Sequence, residues 1–176
     1  VTSGEGISRT LTAKVTATKG YEPPEYKGYG NLAYLGIITC NVGQPKGSGS
    51  KDIEIIRDGK ITRTNLGQYD TFFYRGDPHE EYIGYVFSEA YSFDKVVFTE
   101  GMQFDNGGWF ENGTLRIEAL IDGSWKKLDV VSEPEYPNGN KQSDFGANFE
   151  TYTFTFEPVK ASGIRLIGSA GGSMHF

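Results

Sequence analysis

The chain has 176 residues and a formal net charge of -6, a length that fits one β-rich domain with an added segment better than two domains that must each bury a core. A negative field of that size repels phosphate backbones and anionic lipid, so nucleic acid is not an expected partner. No apolar run approaches the roughly 20 residues that span a bilayer, so no membrane insertion is expected, and no stretch combines the basic and apolar regions of a signal peptide.

Twelve Phe and eleven Tyr against two Met place much of the available buried area in aromatic side chains, which suit pleated, half-buried surfaces. In chain order, Leu11, Ala13, Val15 and Ala17 alternate with polar residues and predict a strand, which Glu22-Pro23-Pro24-Glu25 ends. Residues 1–30 therefore either close a preceding module or add an edge strand to the main sandwich. Residues 35–40 read as a buried strand, with Cys40, the single cysteine, acting as a small hydrophobe. A cysteine-poor chain of this size still buries enough surface to survive outside the cell, and that economy points to a bacterial origin.

Further strands are predicted over residues 81–87, 95–99, 114–121, 151–156 and 163–167, with Tyr152, Phe154 and Phe156 alternating onto one face. Clusters of Gly, Asn, Asp and Pro separate these segments. Asp122-Gly123 is the strongest turn signal, because Asp-Gly accepts the positive φ values of a type I′ hairpin. No segment longer than two turns keeps an amphipathic helical period. Many short strands at this spacing predict an all-β antiparallel sandwich or barrel.

The order of these segments resembles the discoidin, or coagulation factor 5/8 type C, family, close to bacterial carbohydrate-binding modules of family 32. The resemblance covers residues 31–176. It runs from Asn31-Leu32-Ala33 through Ile56-Arg57-Asp58-Gly59 and Glu81-Tyr82-Ile83-Gly84-Tyr85-Val86-Phe87. It continues with Gly108-Trp109-Phe110, Asp122-Gly123-Ser124-Trp125 and Ala161-Ser162-Gly163-Ile164-Arg165-Leu166. It implies a galactose-binding-like β-sandwich of jelly-roll type that binds glycan through loops at one end.

The resemblance also implies a structural calcium at the early loop, with Asp58 giving a carboxylate oxygen and Ile56 and Lys60 backbone carbonyls. Two departures count against the ion: Lys60 stands where a second acidic or amide residue is common, and the family's acidic segment near the last strand is missing before Phe176. Asp58-Gly59 also reads as a plain turn.

For the glycan, Tyr74, Arg75, His79 and Glu80 place an aromatic, a forked donor, an imidazole and an acid on one loop; the same run also reads as a solvated surface loop. A second loop offers Glu100, Phe104, Asn106 and Trp109, where Asn106 both donates and accepts while Trp109 reads either as a stacking platform or as a core anchor. His175 belongs to a third loop that either closes the site or frays.

Two histidines and no cysteine cluster exclude a three-histidine zinc site. Glu80 and Glu81 point to opposite faces of a strand and do not form an acid/base pair. The expectation is therefore a non-catalytic carbohydrate-binding module of a larger secreted or cell-surface bacterial protein. A protein-interaction module of an adhesin or cell-envelope protein is the alternative, and a catalytic β-sandwich, a lyase or hydrolase, is a third.

Overall fold

The computed structural model describes residues 30–42, 45–72, 77–104, 106–137 and 149–174. The chain divides into two units, Val1–Asn31 and Leu32–Phe176. The architecture below belongs to the second. The expected strand over residues 11–17 lies outside the described residues, as do Tyr74, Arg75 and His175.

Among the described residues the strands are β1 (Ile37–Cys40), β2 (Glu80–Thr99), β3 (Arg116–Ile121), β4 (Ser124–Lys127), β5 (Val131–Glu133) and β6 (Thr151–Ser169). They form one antiparallel sheet in the order β1-β2-β6-β3-β4, with β5 also paired to β6. Helical structure there is limited to 3₁₀ turns at Leu32–Tyr34, Ile53–Arg57 and Asn65–Gly67.

β2 and β6 contain 20 and 19 residues. A straight strand of that length would run roughly 65 Å at about 3.3 Å per residue, well beyond a domain that is roughly 40 Å across at this size. The conflict is resolved by register shifts between Val86 and Tyr91 and between Phe93 and Lys95, because an irregularity of this kind bends a strand and increases its twist. The expected strands 81–87 and 95–99 are thus two arms of one bent strand. Residues 151–156 and 163–167 are likewise two arms of its partner.

The bend turns one sheet into two facing layers. In the first, β1, the opening arm of β2, the closing arm of β6, β3 and β4 lie side by side; in the second, the remaining arms carry β5. Register puts Ile117 opposite Leu166 and Ala119 opposite Ile164. These side chains meet Phe93, Tyr152 and Phe154 of the second layer in one buried cluster. The predicted alternation of Tyr152, Phe154 and Phe156 is therefore the inner face of β6.

The Asp-Gly hairpin also forms as its chemistry requires: Asp122 and Gly123 take φ of 51° and 78°, and Ile121 pairs with Ser124. The expectation of a buried strand at residues 35–40 is corrected. Among the described residues β1 pairs with β2 alone and forms the edge of the described sheet; Ile37 is 72% exposed and Cys40 half-buried.

Candidate functional site

β2 begins where β6 ends, with Glu80 opposite Ser169. Three segments meet at this end of the sandwich. The Ala170 amide donates to the His79 carbonyl (3.1 Å), the Gly171 amide to the Trp109 carbonyl (2.8 Å) and the Met174 amide to the Asn106 carbonyl (2.9 Å). Phe110 and Ala170 add a bridge between the same segments. Within the second segment, Phe104 and Gly107 exchange backbone hydrogen bonds, closing a tight turn that presents Asn106. The fold thus gathers His79, Glu80, Phe104, Asn106 and Trp109 from the predicted set.

Their side chains are engaged differently. The His79 Nδ1 faces the Asp77 carbonyl oxygen at 2.7 Å and Nε2 faces Glu81 Oε1 at 2.5 Å, so the imidazole is oriented from both sides. Glu80 points the other way, to the outer face of the first layer, where Arg116 donates to both its oxygens at 2.5 and 3.2 Å. Those bonds hold the Glu80 carboxyl below its ordinary value. The two adjacent acids therefore do lie on opposite faces, as the strand period requires.

From Glu80 the outer face continues as a charge ladder. Arg116 Nε donates to Glu118 (2.8 Å), and Glu118 also accepts from Arg165 at 2.6 and 2.9 Å. Burial pushes the Glu118 carboxyl up, but the bonds from Arg116 and Arg165 outweigh it and the net displacement is downward. The Arg165 guanidinium lies 4.2 Å from the Trp125 ring centre and 4.7 Å from that of Tyr82.

Glu100 is 3% exposed. It accepts from the Tyr136 hydroxyl (2.9 Å) and from Gln103 Nε2 (2.7 Å), and the Tyr136 oxygen accepts from the Phe110 amide (2.9 Å). Burial pushes its carboxyl up to about 7, partly offset by the bonds from Tyr136 and Gln103, with Glu150 adding to the rise. Glu100 braces the loop from within instead of facing solvent. Trp109 is likewise buried, at 6% exposure. Asn106 is partly accessible, and its Nδ2 donates to the Met174 sulfur at 2.9 Å.

Ile56, Asp58 and Lys60 lie apart from these loops, beside residues 33–36. Asp58 Oδ1 accepts from the Lys60 amide (2.8 Å), and Gly59 has φ of 75°, which is the geometry of a turn. Between Ile56 and Asp58, Arg57 donates to the carbonyls of Ala33 (2.8 Å) and Gly36 (2.5 Å) and to Glu54 (2.7 Å). Calcium asks for roughly six to eight oxygens. Asp58 already serves the Lys60 amide, Glu54 serves Arg57, and the Ala33 and Gly36 carbonyls serve the same guanidinium, so these residues as arranged do not fit the ion. Among the described residues no group of three or more His, Cys, Asp or Glu side chains is placed to hold a metal.

The sequence reading placed Met174 in a terminal loop that closes this end but did not single it out as a partner of Asn106, and it missed Glu81 and Arg116. Glu81 had a usable signal, since residues two apart on a strand share a face and His79 stands two before it. Arg116 and Met174 reach the site through pairings of 36 and 68 residues, which no local pattern encodes.

No family model and no curated protein matches the chain. Among solved structures, a chain of the Streptococcus pneumoniae beta-galactosidase BgaA is similar at 14% identity with a TM-score of 0.55, covering 80% of this chain and 86% of that one. A chain described as CpGH89CBM32-5 from Clostridium perfringens, in complex with GalNAc-beta-1,3-galactose, is similar at 16% identity with a TM-score of 0.47, covering 78% and 92%. At such identities what is shared is the fold, an all-β antiparallel sandwich.

Proposed function

We propose that this chain is a non-catalytic carbohydrate-binding module whose site is the loop end built by His79 and residues 101–104, 106–110 and 169–174. The observation that carries the reading is the convergence of three chain segments on one end of a rigid sandwich, fastened by backbone bonds from Ala170, Gly171 and Met174. Function placed on loops over a fixed scaffold is the usual economy of such folds. The acids nearby are already engaged: Glu80 by Arg116, Glu81 by His79, and Glu100 by Tyr136 and Gln103. Glu80 is held ionised by Arg116 and Glu100 is enclosed away from solvent, so neither is presented to a glycosidic bond, which favours binding over hydrolysis.

A solvent-facing site with a few hydrogen bonds gives modest affinity after association costs, in the micromolar to millimolar range. The module then acts by raising the effective concentration of a larger secreted or surface-attached bacterial protein at its glycan. No resident calcium is assigned to it.

The test is a glycan array followed by titration calorimetry on the wild type, Asn106→Ala and His79→Ala. Binding by the wild type and its loss in Asn106→Ala is the expected result. Equal binding by all three moves the site elsewhere, and an empty array removes the reading.

A second reading, a protein-interaction module, draws on the opposite end of the first layer. There Tyr34, Leu35 and Ile37 are 50%, 39% and 72% exposed beside and on the β1 edge, and exposed apolar groups on a free edge invite a partner.

A further inference from the structure

We propose that residues 171–174 form a displaceable strap over a two-donor subsite, the indole N–H of Trp109 and the side-chain amide of Asn106, which takes acceptor oxygens of a saccharide. The proposal rests on the carbohydrate-binding reading and names which groups would hold the sugar.

The Trp109 Nε1 is buried and has no hydrogen-bond partner. The Gly171 methylene lies against it, so close that a Cβ there would stand 2.2 Å from that nitrogen. A buried donor without an acceptor has given up its bond to water and gained none, so the closed arrangement carries a penalty at the spot the strap covers.

The second donor is little better served. Asn106 Nδ2 spends a hydrogen bond on the Met174 thioether, and thioether sulfur is a weak acceptor. Both donors therefore face the strap, and it offers them one sulfur and one CH₂.

The strap is close-fitting but lightly fastened. Gly172, at φ of 77°, lies so near the Asn106 carbonyl carbon that a Cβ would come within 2.3 Å of it, so only glycine permits the approach. Backbone bonds from Gly171 to Trp109 and from Met174 to Asn106 hold it down. Lifting it exposes two N–H donors and the edge of an indole. An acceptor-rich ligand that also has an apolar face, such as a pyranose with adjacent hydroxyl oxygens or an acetamido carbonyl, satisfies all three.

The experiment uses ¹⁵N-labelled protein of the full 176 residues, with Trp125→Phe assigning the two indole signals. Without ligand, the Trp109 indole N–H is expected to exchange with solvent at least 100-fold faster than the slowest amides of β3 and β6, in step with the Met174 amide. Exchange as slow as those core amides overturns the strap. With N-acetylgalactosamine and galactose as probes, the Trp109 indole proton is expected to shift downfield on saturation. Met174→Ala is expected to bind 3- to 10-fold tighter and Trp109→Phe at least 10-fold weaker. A sugar that binds while the Trp109 signal stays in place and Met174→Ala keeps its affinity overturns the subsite and leaves the glycan reading standing. No sugar binding, with fast indole exchange, keeps the moving strap but overturns the saccharide assignment along with the glycan reading.

Discussion

Glu100→Gln tests how the loop end is held. The wild-type carboxyl, 3% exposed, is pushed by burial from an ordinary 4.5 to about 7. A raised carboxyl keeps in the folded state a proton that the unfolded chain has already released. Folding stability from this group is therefore whole below about pH 4.5, falls as pH rises, and is lost once pH passes about 7. At roughly 1.4 kcal/mol per pH unit, that gap corresponds to about 3 kcal/mol.

Glutamine removes the charge but keeps an acceptor for the Tyr136 hydroxyl, and Gln103 can turn its amide to meet the new NH₂. The assay is urea denaturation of both proteins at pH 5, 6, 7 and 8. Whatever the offset between them at pH 5, the variant should gain on the wild type by about 2.5 kcal/mol by pH 8. Parallel stability-against-pH curves would refute the reasoning, because the buried charge would then carry no cost.

Four further outcomes are expected. Arg165→Ala removes the cation between Tyr82 and Trp125 and two of the bonds to Glu118, whose side chain is 10% exposed; a loss of about 3 kcal/mol in urea melts is expected, and a loss below about 1 kcal/mol contradicts the ladder. Arg57→Ala leaves the Ala33 and Gly36 carbonyls without their donor and should cost about 2 kcal/mol. Neither calcium nor chelator should move the thermal midpoint of that variant or of the wild type, and a chelator-sensitive wild type would return an ion to the early loop. Gly123→Val forces a β-branched residue to a φ of 78° and should cost about 2 kcal/mol, with faster amide exchange in β3 and β4 as the local readout.

The parts of the fold that were legible are those written in adjacent residues. Asp122-Gly123 announces its hairpin because the required φ values are a property of those two residues. Tyr152, Phe154 and Phe156 announce a buried face because alternation is the strand's own period. The fusion of segments 81–87 and 95–99 was not legible. Ser88-Glu89-Ala90 reads as a polar break, yet these residues lie within β2, in the stretch where pairing with β6 shifts register. β5 was missed because three residues before Pro134 carry too little pattern.

At the site, alternation separated Glu80 from Glu81 correctly. The burial of Glu100 was invisible because its partner Tyr136 lies 36 positions away. At the early loop, Asp58 has the local chemistry of an ion ligand and also of a plain turn, while Arg57 beside it takes up the carbonyls of Ala33 and Gly36, a pairing that appears only when residues 33–36 are brought alongside.

β2 and β6 run through both layers as a single ladder of fifteen paired positions, so no seam divides the front of the molecule from the back. Neither layer can leave without breaking that ladder, so the sandwich should melt in one step. A pull directed along either arm is borne in shear by the paired positions of that arm together, and the bend keeps the other arm in reserve.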